Sequence, residues 1–119
     1  MHTAEHATAI EIQRCIDDCL NCYEVCVRTM EHWFELHGKH AGGTEIRMLS
    51  DCAAICQTNV GFMLRGSQFH MRTCAVCAEI CHECERECRR MDGDQVMQRC
   101  ADACRRCAES CDRMANVAA

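Results

Sequence analysis

The stretch CAVCAEICHECEREC, residues 74–88, sets cysteines at 74, 77, 81, 84 and 88, separated by steps of only three and four. That alternation is the period of one inward-facing stripe on an α-helix, whereas a strand would need steps of two. The same steps recur in CIDDCLNCYEVC (15–26), with Cys15, Cys19, Cys22 and Cys26, and in CADACRRCAESC (100–111), with Cys100, Cys104, Cys107 and Cys111. Cys52 and Cys56 make a shorter run between them. The pattern predicts helices that each turn a stripe of thiols toward a common centre.

The rest of the chain suits that reading. It has 119 residues, no proline and six glycines, which permits long helices in one domain spanning residues 1–119. Turn and cap signals place the helices at about 4–36, 45–65, 68–91 and 95–115. Thr3 and Thr44 are the expected N-caps of the first two, Gly66-Ser67 the stop and restart before the third, and Asp92-Gly93-Asp94 the break before the fourth. A continuous helix over 44–91 is the competing reading, but it would be far longer than globular helices usually are. Short connections make neighbours antiparallel, so the expected fold is all-α: an up-down-up-down four-helix bundle with a cysteine-lined core. Extending the stripes puts Thr8, Ile12, Met63, His70 and Met114 at one end, a mouth with soft and borderline ligands. Met30, Trp33, Ile46, Leu49, Met91 and Met97 fall at the other, bulkier end, a plug.

Fifteen cysteines among 119 residues exceed the roughly 8–10% that marks a special use. Disulfides are the default explanation, and three features oppose them. The N-terminal residues MHTAEHATAIEIQRC show no basic and apolar export signal, and the count is odd. Residues three or four apart on a helix hold their Cβ atoms about 5–6 Å apart, too far for a disulfide's roughly 3.5–4.5 Å. Nor does a purely space-filling role suffice, because thiols fill a core less well than leucine or isoleucine. Soft-metal ligation is the remaining reason to place them on nearly every core layer. A net charge of −5 and the lack of a long apolar run argue against nucleic acid and membrane partners, and a reducing cytoplasm is the expected setting.

The choice of metal follows from charge. A zinc site with four thiolates carries a formal charge of about −2, costly to bury repeatedly along one axis. Cys15-Cys19-Cys22 and Cys100-Cys104-Cys107 match a CxxxCxxC spacing used by some iron–sulfur enzymes, but here it is simply helix period. Cu(I) accepts two or three soft thiolates, and about one ion per thiolate leaves the assembly neutral. Multiple Cu(I) ions are therefore the expected cargo; an iron–sulfur electron-transfer protein and a Zn/Cd thiolate buffer stay open as alternatives. No nucleophile–base pair or phosphate-binding loop is evident, so the chain reads as a binding protein and not an enzyme.

The three segments CIDDCLNCYEVC, CAVCAEICHECEREC and CADACRRCAESC resemble those of the bacterial copper storage proteins, specifically the cytosolic type, over about residues 3 to 115. The resemblance implies a four-helix bundle that stores many Cu(I) ions, typically as a homotetramer. It makes the core cysteines the ligands, with a few His or Met residues at the open end; by stripe position these are His70, Met63 and Met114. The second helix is cysteine-poor, with Asn59 and Val60 on stripe positions. Away from the stripe, His2 and His6 form an i,i+4 pair that could hold a surface metal, and His37 and His40 flank a loop glycine. His82 reads as solvated, Trp33 and Phe34 as plug or partner-facing residues, and Glu83–Arg90 as a solvated face with ion pairs one helical turn apart.

Overall fold

A helix leaves its first backbone N–H groups unpaired, and it begins where a side chain can accept them. Thr8 does so: its hydroxyl accepts from the Glu11 amide at 3.1 Å while the Glu11 carboxylate accepts from the Thr8 amide at 2.8 Å, a reciprocal capping box. In the computed structural model, which describes residues 7–40 and 42–116, helix α1 accordingly runs from Ala9 to His37. The first helix thus starts about a turn later than expected, and Thr3 lies outside the described residues. A short 3-10 turn, Gly38–His40, leads to α2, Gly43–Leu64. Thr44 is not its cap. The helix starts at Gly43 behind Gly42, whose φ of 150° suits glycine and which offers no side chain to the first amides.

The chain breaks between α2 and α3, so the continuous 44–91 helix is excluded. Gly66 takes a left-handed φ of 62°, but Ser67 does not cap the next helix. Its hydroxyl accepts from the Phe69 amide at 3.0 Å within the turn, and α3 runs from His70 to Arg89 with Phe69 at its N-cap. Asp94 caps α4, Gln95–Ala115, as its sequence suggests: its carboxylate accepts from the amides of Val96 at 3.0 Å and Met97 at 3.2 Å. Gln98 donates its side-chain amide to the carbonyls of Cys88 at 3.2 Å and Met91 at 3.0 Å, satisfying groups that the end of α3 leaves free.

Helix α1 packs on α2 and α4, and α3 packs on the same two, while the diagonal helices keep their backbones apart and meet only through side chains at the axis. This is the up-down-up-down arrangement, drawn out to 55 × 23 × 19 Å. Alanines 53, 78, 101 and 108 are buried beside the cysteines, and such small side chains let the helices approach closely. No helix among the described residues is long and apolar enough to cross a membrane.

One polar pin joins the far ends of α1 and α4: His32 Nε2 lies 2.9 Å from the Asp94 carboxylate. Burial acts to raise the Asp94 pKa, but hydrogen bonds from His32 and from the Met97 and Val96 amides outweigh it and hold the carboxyl below its ordinary 3.8. A carboxylate favoured in the folded state contributes stability above the unfolded pKa and loses it as pH falls through the folded one. Asp94→Ala is therefore expected to cost about 1 kcal/mol at neutral pH, the usual value of an N-cap. In urea melts the gap between variant and parent should close in acid well below 3.8; a gap independent of pH would contradict this role.

Candidate metal centre

The three-and-four spacing turns every cysteine inward. All fifteen are free thiols, and none is more than 1% exposed. They stack in layers along the bundle axis. Outermost are Cys15, Cys74 and Cys111, whose sulfurs form one mutually close group. Below them lie Cys19, Cys56, Cys77 and Cys107, joined by Cys19–Cys107 at 3.6 Å, Cys56–Cys77 at 3.8 Å and Cys56–Cys107 at 3.7 Å. The next layer holds Cys22, Cys52, Cys81 and Cys104, with Cys22–Cys52 and Cys52–Cys81 both at 3.7 Å. Cys26 meets Cys100 at 3.9 Å, and toward the inner end Cys84 and Cys88 are buried, their thiols pushed up by Cys100 and by burial. Successive layers connect through Cys19–Cys111 at 3.7 Å, Cys56–Cys81 at 3.8 Å and Cys22–Cys26 at 4.0 Å. Twelve of the thiols, from Cys15 at the outer end to Cys100, thus form one continuous column of sulfur contacts, with Cys74 grouped beside Cys15 and Cys111.

This topology constrains which metals the column can hold. Four groups of four sulfurs lie within 4.8 Å of one another: Cys19/77/107/111, Cys22/26/52/104, Cys22/52/56/81 and Cys56/77/81/107. Because they share Cys22, Cys52, Cys56, Cys77, Cys81 and Cys107, no more than two can be occupied at once as separate four-sulfur sites. Closed tetrahedral ions would strand almost half of the thiols. An ion content with two or three sulfurs, whose thiolates bridge to the next ion, can use the whole column.

The charge of the column is shared between neighbours. The Cys74 thiol is held well below its ordinary pKa by hydrogen bonding from Cys111 and Cys15, against burial, with Asn59 and His70 adding to the effect. Cys107 is pushed up through its hydrogen bonds with Cys111 and Cys19, and burial adds to this. One ionised sulfur can be stabilised by the S–H groups around it, but its neighbours must then keep their protons. Wholesale ionisation requires a cation to arrive as each proton leaves.

Three polar side chains are buried among the described residues: Ser110, whose hydroxyl donates to the Asp18 carboxylate, Thr29 and Asn59. Thr29 returns its hydroxyl to the Val25 carbonyl at 2.6 Å. Asn59, fully buried on α2, directs its NH₂ group at the sulfurs of Cys74 at 3.5 Å and of Cys19 and Cys111 at 3.6 Å. Its stripe position was legible in the sequence; its bonds were not. Thr73, whose hydroxyl donates to the Asn59 carbonyl at 2.6 Å, gave no sequence signal, because it sits one residue off the stripe.

At the end expected to be the mouth, Met63 and Met114 are buried and His70 is half-buried, with a buried Nδ1 that has no hydrogen-bond partner. At the opposite end Trp33, Leu49 and Met97 are buried, with Met30, Ile46 and Met91 packed against them. The Trp33 ring lies 4.1 Å from that of His37, the last residue of α1, while Phe34 is exposed. His82 is not simply solvated: its Nε2 lies 2.9 Å from the Asp112 carboxylate. Glu83 pairs with Arg86, and Glu85 with Arg89, along the exposed face of α3. His2 and His6 lie outside the described residues.

The chain resembles known proteins along nearly its whole length. Residues 8–116 match a family model described as copper storage protein. A crystal structure of a Nitrosospira multiformis protein superposes with a TM-score of 0.83 at 45% identity, covering 91% of this chain and 97% of that one. A Cu(I)-bound copper storage protein superposes with a TM-score of 0.81 at 37% identity, covering 88% and 98%. An uncharacterized cysteine-rich protein of Bacillus subtilis (strain 168) is 38% identical over 91 residues, 76% of this chain and 83% of its own.

Such burial has a measurable consequence. In the reduced, metal-free protein a disulfide reagent such as Ellman's should react slowly with the native fold and count all fifteen thiols promptly once the chain is unfolded. Native and unfolded rates that coincide would contradict the buried column.

Proposed function

The chain belongs to the copper storage protein family, and on that premise we propose that it stores many Cu(I) ions on its core thiolates, about one ion per cysteine. The observation that carries this reading is the unbroken column of shared sulfurs. At one copper per thiolate each positive charge cancels one negative charge, so the filled core is neutral and tolerable at low dielectric. The ligands are the fifteen cysteines named above, joined at the mouth by His70, Met63 and Met114. The unpartnered Nδ1 of His70, one helical turn before Cys74 on the stripe, supports its inclusion.

Copper enters at the mouth and moves inward by thiolate exchange, passing between layers over sulfur–sulfur distances such as Cys19–Cys111 at 3.7 Å, Cys56–Cys81 at 3.8 Å and Cys22–Cys26 at 4.0 Å. One proton leaves per cysteine ionised, so loading acidifies an unbuffered solution. The role is sequestration and not catalysis. We place the protein in the cytoplasm, where reduced thiols and Cu(I) persist, and assign it a homotetrameric assembly. The exposed apolar Leu20, Val27 and Phe34, seven residues apart on α1, support self-association. A Zn/Cd buffer or an iron–sulfur carrier is disfavoured, because separate four-sulfur sites would leave much of the column unused.

Anaerobic titration of the fully reduced protein with Cu(I), against a competing chelator, tests the proposal. Binding should saturate near the cysteine count of fifteen, and Cys104→Ala should lower the capacity by about one ion without abolishing binding, since its neighbours still bridge. Saturation at only about one to four ions, the scale of discrete metal sites, would defeat the storage reading. Light scattering coupled to gel filtration checks the assembly: a particle several times the 13.5 kDa chain is expected, and a monomer would refute it.

A further inference from the structure

In the two middle layers of the column every helix contributes a sulfur. At the mouth, α2 contributes Asn59 instead, on the stripe three residues beyond Cys56. A fully buried amide is costly unless both of its ends are paired, and here both are. The carbonyl accepts from the Thr73 hydroxyl at 2.6 Å. The NH₂ group faces three sulfurs, those of Cys74 at 3.5 Å and of Cys19 and Cys111 at 3.6 Å. The nitrogen is no metal ligand, because its lone pair is delocalised into the amide, and the oxygen is a hard donor already engaged by Thr73. Once copper has displaced the thiol protons the sulfurs can only accept hydrogen bonds, so the NH₂ orientation remains the one that pairs them.

A hydrogen bond to a coordinated sulfur draws electron density away from the metal and is a recognised means of tuning thiolate centres. Position acts in the same direction: the outermost layer offers three sulfurs where each of the two layers beneath it offers four. Copper held among Cys15, Cys74 and Cys111 therefore has fewer bridging partners and weaker donors than copper deeper in the column.

We infer that Asn59, held in place by Thr73, is a tuning residue that makes the outermost cysteine layer a weakly held, rapidly exchanging copper site through which stored ions leave and enter. The inference rests on the copper-storage reading above. It gives the cysteine-poor second helix a purpose, since the thiol missing at the mouth is what keeps the store accessible.

The test follows release of Cu(I) from fully loaded protein to an excess of bathocuproine disulfonate. The parent should empty in a fast phase from the mouth and a slower one from the interior. Asn59→Leu keeps the size but removes the donors; it should slow the fast phase by about tenfold, the scale of outer-shell effects at metal sites, at unchanged capacity. Thr73→Val, which frees the amide's anchor, should slow it less, and serves alone if Asn59→Leu does not fold. Circular dichroism and the melting temperature of each metal-free variant establish that it is folded. In an NMR titration the Asn59 side-chain amide signal should move with the last equivalents of copper, because the weakest site fills last. Release profiles that superimpose on the parent's in a folded variant would overturn the inference, as would an Asn59 signal that moves with the first equivalents. A parent capacity of only a few ions would instead defeat the storage reading itself.

Discussion

Many sulfur anions cannot stand together in a dry protein interior without cations beside them, and the whole molecule is arranged around that constraint. Fifteen thiols fill the centre of a narrow bundle, most of them close enough to pass hydrogen bonds from one to the next, but only a few of them can be ionised together. In the metal-free state the core is thus a set of small, weakly polar groups. Charge can enter it only as metal arrives and protons depart. The same requirement that keeps the thiols protonated makes them a sink for a soft, singly charged ion, because filling the column restores neutrality at every step.

A core of thiols and alanines buries less apolar surface per residue than one of leucines, so stability has to come from elsewhere. Much of it lies at the ends and edges of the helices. The Thr8 capping box, the Asp94 cap with its His32 contact and the Gln98 amide closing the end of α3 secure backbone groups that would otherwise be free. Bulkier residues cluster where no ligand is needed: Trp33, Leu49 and Met97 close one end of the column. The other end differs in carrying a half-buried histidine and a buried asparagine that faces the sulfurs. This polarity gives the column a direction, sealed at one end and chemically responsive at the other.

The helical class, the inward stripe, the number of helices and the burial of every thiol were all legible in the spacing of the cysteines, because helix period is a local property that one sequence displays in full. Helix starts were less legible. Thr3, Thr44 and Ser67 are all reasonable caps by residue type, yet the helices begin behind Thr8, Gly42 and Phe69. A cap depends on whether the side chain can reach a particular amide, and the approach angle of the preceding chain decides that. Asp94 was readable because a flanking glycine and a second aspartate narrowed the choice to one turn.

The sequence by itself determined that thiols line the bundle axis and that their number suits a neutral store of a soft ion, since period and charge are sums over the chain. Only the tertiary structure decided which sulfurs are neighbours. Cys22 lies beside Cys52, Cys56 beside Cys77 and Cys15 beside Cys111 because antiparallel packing sets the register between helices. It alone revealed that the groups of four share members and form one column instead of separate sites. It also turned Asn59 from a gap in the pattern into a hydrogen-bond donor to three thiols, tied to Thr73 on another helix. Contacts of that kind depend on distances between residues remote in the chain, and no local period encodes them.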